Sequence, residues 1–184
     1  MENKKILVTG GAGFIGSSLV RYLLKHNQNV RVLDNFQRGK LFRLKDIIEN
    51  VEFIEGDIRD QLIVEKACHK IDTVIHLAYL NGTKYFYTKP ELVLDIAVKG
   101  ITNIINSSIK SGVSDFFLAS SSEVYQTPDH IPTSEEVSLS IPDILNPRFS
   151  YGGGKIICEL MTINYGKKYF NKSVIFRPHN VYGP

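Results

Sequence analysis

Three features of the sequence predict an α/β fold built on a parallel, doubly wound sheet. Short apolar runs rich in β-branched residues alternate with longer stretches whose apolar residues recur at helical intervals. A glycine-rich stretch joins the first such run to the first helical stretch, and the second run ends on an aspartate. Six strands are expected, in the spatial order 3-2-1-4-5-6, with ligands bound at their carboxyl ends.

The stretch Lys4 to Gly16 organises the rest. Ile6, Leu7 and Val8 read as a buried parallel strand that stops at Thr9. From Phe14 onward Ile15, Leu19, Val20, Leu23 and Leu24 follow a helical period. Between them Gly10, Gly13 and Gly16 stand in G-x-x-G-x-x-G spacing. Missing side chains let a diphosphate reach the free N–H groups at the helix N-terminus, so this reads as a dinucleotide-binding turn. A glycine triplet alone is weak evidence, but here a strand precedes it, a helix follows, and a second strand, Asn29 to Leu33, ends in Asp34. Asp34 is placed to accept hydrogen bonds from an adenosine ribose, and its charge repels a 2′-phosphate. NAD is therefore expected over NADP, with Arg38 and Lys40 as nearby cations that work against the preference.

Asn35 to Lys45 reads as a loop leading into a short helix through Ile48, and Val51 to Ile54 as a third strand. That strand ends in Gly56-Asp57-Ile58-Arg59-Asp60, where Asp57 faces the adenine side and Asp60 caps a helix over Gln61 to His69. Thr73 to Leu77 is a fourth strand, running into Ala78, whose small side chain lets a cofactor pass. His76 inside it reads as a packed residue. Asn81 to Lys89 reads as a loop at the mouth of the sheet. Pro90 opens a long helix, apolar at Leu92, Val93, Ile96, Ala97, Gly100, Ile104 and Ile105, that ends near Gly112. Phe116 to Ala119 is the fifth strand and opens into Ser120-Ser121-Ser122-Glu123. Prolines 128, 132, 142 and 147 make Gln126 to Phe149 a long loop of the active-site type. A helix over Tyr151 to Tyr169 and a sixth strand over Ser173 to Phe176 follow, before Arg177-Pro178.

The 184 residues, 43% hydrophobic and 22% charged, fit one globular domain over residues 1–184 with an ample core. The net charge of +3 arises from 22 basic and 19 acidic residues spread along the chain, with no basic block, so nucleic acid is not an expected partner. Met1 to Lys5 runs straight into the first strand and no apolar run approaches membrane-spanning length, so neither a signal peptide nor a membrane partner is expected. Cys68 and Cys158 are far apart and lack a motif, which reads as two free thiols of a cytoplasmic protein. No metal site is expected.

Tyr151 and Lys155 are four residues apart and share one helix face. A lysine ammonium beside a phenol favours the phenolate, lowering a tyrosine pKa towards the range of a general base, and an oxidised nicotinamide pushes the same way. As an isolated pair these would read as surface residues; Ser121 and the glycine turn, brought to the same crevice by topology, make them catalytic candidates.

With these residues in view, the chain resembles the extended short-chain dehydrogenase/reductases, specifically the NAD-dependent nucleotide-sugar epimerases and dehydratases, which have a Rossmann-like sheet. The resemblance rests on TGGAGFIG at Thr9 to Gly16, Asp34, Asp57, HLAY at His76, SSSEVY at Ser120 to Tyr125, Tyr151 with Lys155, and RPHNVYGP at Arg177 to Pro184. It implies that Tyr151 removes the sugar O4 proton, that Ser121 hydrogen-bonds the same oxygen and that Lys155 holds the nicotinamide ribose. The C4 hydride passes to NAD, leaving a 4-keto sugar. The implied cofactor contacts are Gly10, Gly13, Phe14, Ile15, Gly16, Asp34, Asn35, Asp57, Ile58, Leu77, Ala78, Tyr151, Lys155 and Pro178. Asn81, Ser121 and Asn180 are the implied contacts to a nucleotide-diphosphate sugar.

Ser122 and Glu123 occupy the position where the family's dehydratases and decarboxylases carry an acid–base residue, which points to elimination, decarboxylation or C5 chemistry. A non-catalytic NAD-binding module, such as a sensor, is the alternative, and the intact Ser121, Tyr151 and Lys155 argue against it. The chain departs from the family pattern at Gly154, where a serine usually precedes the lysine, and at Ala97-Val98-Lys99-Gly100-Ile101, where an asparagine usually stands. Gly152, Gly153 and Gly154 each cost helix stability of roughly 1 kcal/mol relative to alanine. By resemblance a homodimer through the helix after Pro90 and the helix holding Tyr151 is expected. Family members continue into a smaller C-terminal substrate domain, so the chain is expected to lack that domain, to bind NAD and to turn over poorly alone.

Overall fold

The computed structural model describes residues 4–183, so Met1 to Asn3 and Pro184, the last residue of the RPHNVYGP stretch, lie outside the described residues. Six parallel strands form one sheet: β1 (Lys5–Thr9), β2 (Asn29–Asp34), β3 (Glu52–Glu55), β4 (Thr73–His76), β5 (Asp115–Ala119) and β6 (Lys172–Phe176). Their order is β3-β2-β1-β4-β5-β6, as the alternation of strands and helices predicts. In register, Val8 of β1 stands between Val32 and Ile75.

Side chains alternate across each strand and so feed two cores. Leu7, Leu33, Val74, Phe116 and Leu118 face α2 (Gln61–Cys68), α4 (Pro90–Lys110) and α5 (Ser150–Tyr169). Ile6, Val8, Val30 and Val32 face the other side, against α1 (Phe14–Lys25) and the 3-10 turn Leu41–Leu44.

The helix ends follow local chemistry. Asp60 accepts from the N–H groups of Leu62 and Ile63 at 2.9 and 3.2 Å, the predicted N-cap of α2. The other end of α2 is held from β2, where the buried Arg31 donates to the carbonyls of Lys66, Ala67 and His69.

Three expectations need correction. The short helix expected through Ile48 is instead two 3-10 turns, Leu41–Leu44 and Ile48–Asn50. Asn81 to Lys89 is not all loop, since Thr83–Thr88 forms a short helix, α3. Its single buried residue, Phe86, stacks on Tyr151 with ring centroids 4.9 Å apart, and one buried position in six leaves no periodic signal. The 21-residue α4 also does reach the length and mean hydropathy of a membrane span. Here it is packed between α2 and α5, and half of its most apolar window is buried in the domain.

Candidate active site

The site lies along the carboxyl ends of the strands. At the end formed by the glycine turn Gly10 adopts φ +72°, and a Cβ there would sit 2.8 Å from the Ala78 nitrogen. A Cβ on Gly16 would run into the Gly10 carbonyl oxygen, so turn and helix meet backbone to backbone. Gly13 begins α1 in an extended conformation without a side-chain cap, which leaves the first N–H groups of the helix for an anion. Asp34 is buried at the end of β2 and accepts from Ala12 N (2.9 Å) and Phe36 N (2.8 Å). Burial pushes its carboxyl above the usual range, and those two backbone bonds act the other way. Each carboxylate oxygen keeps a lone pair for a ribose hydroxyl. Asp57 accepts from Asn35 and is clamped by Arg59, whose guanidinium holds its carboxyl below the usual range.

At the other end, the start of α5 brings Tyr151 and Lys155 beside the end of β5. Both are buried, as is Ser121. Lys155 Nζ donates to the Ala119 carbonyl at 2.7 Å and lies 3.9 Å from the centre of the Tyr79 ring. Burial pushes its ammonium down to about 8. The lowered phenol expected for Tyr151 is not what the structure shows. Burial pushes that phenol up, and a hydrogen bond with Ser121 opposes the rise. Lys155 Nζ is 5.8 Å from the Tyr151 ring centre and its hydrogen bond goes to the backbone, so its charge is not spent on the phenolate.

Two clefts meet over the glycine turn. Gly10, Asp34, Asn35, Asp57, Ile58, Leu77 and Ala78 line a first cleft at the ends of β2 and β3. Phe14, Ile15, Gly16, Asn81, Ser121, Tyr151, Lys155, Pro178 and Asn180 line a second cleft of about 390 Å³. Gly10, Gly13, Arg38, Leu77 and Tyr79 belong to both. The predicted cofactor and substrate residues are thus brought together, while Ser122 and Glu123 stand beside the second cleft and not in its wall. Ser122 N is bonded to the Pro178 carbonyl, and the Glu123 carboxylate is paired with Arg148 at 2.9 and 3.2 Å.

Sequence reasoning missed three contributors. Arg148 lies in the loop before α5 and shows no signal that it meets Glu123. Glu159, buried on α5, accepts from Ser120 Oγ and from Arg177 Nε (2.9 Å) and Nη2 (2.7 Å), tying the ends of β5 and β6 to α5. Tyr79 was noted only as part of a motif. The three consecutive glycines at the start of α5 have packing reasons: a Cβ on Gly152 would sit 2.5 Å from Gln126 Nε2, one on Gly153 3.1 Å from Ile141, and one on Gly154 would overlap the Tyr79 hydroxyl.

Residues 6–184 match the model of the NAD dependent epimerase/dehydratase family. The chain belongs to this family. It is 36% identical over 180 residues to a putative UDP-glucose 4-epimerase of Methanocaldococcus jannaschii, covering 97% of this chain and 56% of that protein. It is 34% identical to UDP-glucuronic acid decarboxylase 1 of Xenopus tropicalis, covering all of this chain and 42% of that protein. The crystal structure of UDP-glucose 4-epimerase from Thermus thermophilus in complex with NAD superposes with a TM-score of 0.86 at 32% identity, over 98% of this chain and 56% of that one. The chain spans about half the length of the curated relatives it matches.

Proposed function

We propose that residues 1–184 form the NAD-binding domain of an enzyme that modifies a nucleotide-diphosphate sugar through a 4-keto intermediate, by epimerisation or decarboxylation. The observation that carries this reading is one continuous crevice joining an uncapped glycine turn and Asp34 to Ser121, Tyr151 and Lys155. The cradle fits a dinucleotide, because backbone stands where side chains would fill the turn and a carboxylate stands at the ribose end. Gly10, Gly13 and Gly16 would hold the diphosphate, Asp34 the adenosine ribose and Lys155 the nicotinamide ribose. NAD, when bound, supplies the acceptor for the hydride from the sugar C4.

The chain's own residues do the rest. Tyr151 takes the O4 proton, and Ser121, which bonds the phenol, steadies the same oxygen. The Lys155 ammonium supplies positive charge from a buried position, and Asn180 and Asn81 face the incoming substrate. Glu123, the candidate for acid–base work at C5, must first leave Arg148, which favours a reaction in which that residue is not the primary base. The relatives include both 4-epimerases and decarboxylases, and the 4-keto step is common to the two readings. Two buried free thiols, Cys68 and Cys158, support a cytoplasmic setting.

Calorimetry with NAD and NADP on the chain, followed by incubation of the full-length enzyme, and of its Tyr151→Phe variant, with a panel of nucleotide sugars and mass analysis of products, tests the reading. NAD is expected to bind more tightly than NADP, because Asp34 repels a 2′-phosphate. Tyr151→Phe is expected to bind NAD as the parent does and to yield no product. Equal affinity for the two cofactors, or turnover by Tyr151→Phe near the parent's, would overturn it.

A further inference from the structure

Two departures from the family pattern meet at the hydroxyl of one residue. A Cβ on Gly154 would overlap the Tyr79 hydroxyl and would lie 2.9 Å from the Ala97 Cβ, so α4, α5 and the loop after β4 converge there. A serine at 154 has no room while Tyr79 is present, and a larger side chain at 97 would press on the same point. The Tyr79 hydroxyl is buried in that gap without a hydrogen-bond partner among the described residues, so polar bonding is not what holds the residue. Its ring is what touches the site. The face lies 3.9 Å from Lys155 Nζ, and the ring meets Tyr151 edge to face at 5.1 Å and 82°.

We propose that Tyr79 is a positioning residue of the active site, its ring holding the Lys155 ammonium and the Tyr151 ring in the space that Gly154 and Ala97 leave open. Lys155 has three N–H donors and, among the described residues, one hydrogen-bond acceptor, the Ala119 carbonyl. A buried ammonium so short of acceptors gains from the negative face of an aromatic ring, and the gain is larger where water is excluded. The edge contact holds Tyr151 together with Phe86, which stacks on it at 4.9 Å. Tyr79 also lines both clefts, so it borders the path of a dinucleotide running from the glycine turn to Lys155. The inference rests on the NAD-binding reading for its consequence and on geometry alone for its cause.

The test uses the whole 184-residue chain and reads Lys155 directly. Competitive amine labelling across a pH series, followed by peptide mass spectrometry, gives the titration midpoint of Lys155. Tyr79→Phe keeps the ring and discards an unpartnered hydroxyl; it is expected to titrate at Lys155 as the parent does and to unfold no more easily. Replacing Tyr79 with pentafluorophenylalanine keeps the volume and inverts the ring's potential, so it is expected to lower the Lys155 protonation constant roughly tenfold and to weaken NAD binding. Gly154→Ser is expected to destabilise the parent and to be tolerated once Tyr79 is replaced by alanine. A pentafluoro variant that titrates at Lys155 as the parent does would overturn the proposal, whether or not NAD binds. Failure of the unmutated chain to bind NAD would count against the proposed function and leave the Lys155 titration to decide the role of Tyr79.

Discussion

The hydroxyl of Thr9 accepts from the N–H groups of Leu77 and Ala78 at 3.2 Å each, so its own proton goes to His76 Nδ1 at 2.7 Å. His76 is thereby a neutral acceptor that ties β1 to β4 beneath the cofactor crevice. Burial, aided by the Lys155 charge, pushes it down to about 3 from an ordinary 6.5. The unfolded chain takes up this proton near pH 6.5 and the folded chain only near pH 3, so stability falls as pH drops through that window. The expected loss from His76 alone is on the order of a few kcal/mol. His76→Gln keeps an acceptor for Thr9 and removes the titration, so urea unfolding at pH 7 and pH 4.5 is expected to show a flatter dependence for the variant. Equal slopes would assign the acid sensitivity elsewhere. The residue scale also explains why Tyr151 is not poised as a base in the unliganded domain: Lys155 spends its hydrogen bond on the backbone, and burial acts on the phenol unopposed by that charge.

At the scale of elements, α2 and α4 begin where local chemistry says they should, α2 on Asp60 and α4 on Pro90. Asp60 caps α2, and its removal leaves two N–H groups at the helix start without a side-chain acceptor. Asp60→Ala is expected to cost about 1 kcal/mol in chemical unfolding while leaving NAD affinity unchanged, since Asp60 lines neither cleft. A loss below a few tenths would mean that water replaces the cap. Legibility failed at α3 for a physical reason: its six residues bury only Phe86, and that burial depends on Tyr151, more than sixty positions away in the chain. The low amphipathicity of α5 has a related cause. Its first turns are buried all round between α4, β5 and the loop Gln126 to Asn146, so apolar and small residues occupy every side.

At the scale of the molecule, α4 and α5 pack on each other and leave an apolar strip facing outward: Leu94 and Val98 on α4, Ile157, Leu160 and Ile163 on α5. Leu160 is 56% exposed, unusual for a leucine on a central core-packing helix. This strip is the surface on which we place the proposed homodimer. Sedimentation is expected to show a dimer for the parent and a monomer for Leu160→Asp combined with Val98→Asp, with the fold kept because both positions are solvent-facing. A parent that stays monomeric at high concentration would remove the proposal.

The sequence by itself determined the sheet order, the glycine turn with Asp34, the cap at Asp60, the packed role of His76 and the meeting of Ser121, Tyr151 and Lys155 in one crevice. These are local in origin: periodicity sets strand and helix, glycines set the turn, and the parallel connection rule sets which strand ends share an edge. Only the tertiary structure decided what lies between elements. It placed Arg148 on Glu123, Glu159 between Ser120 and Arg177, and Tyr79 against Gly154 and Lys155. Such pairs join residues tens of positions apart whose types are unremarkable one by one, and their energies depend on burial and on distances of a few ångströms, which no spacing along the chain encodes.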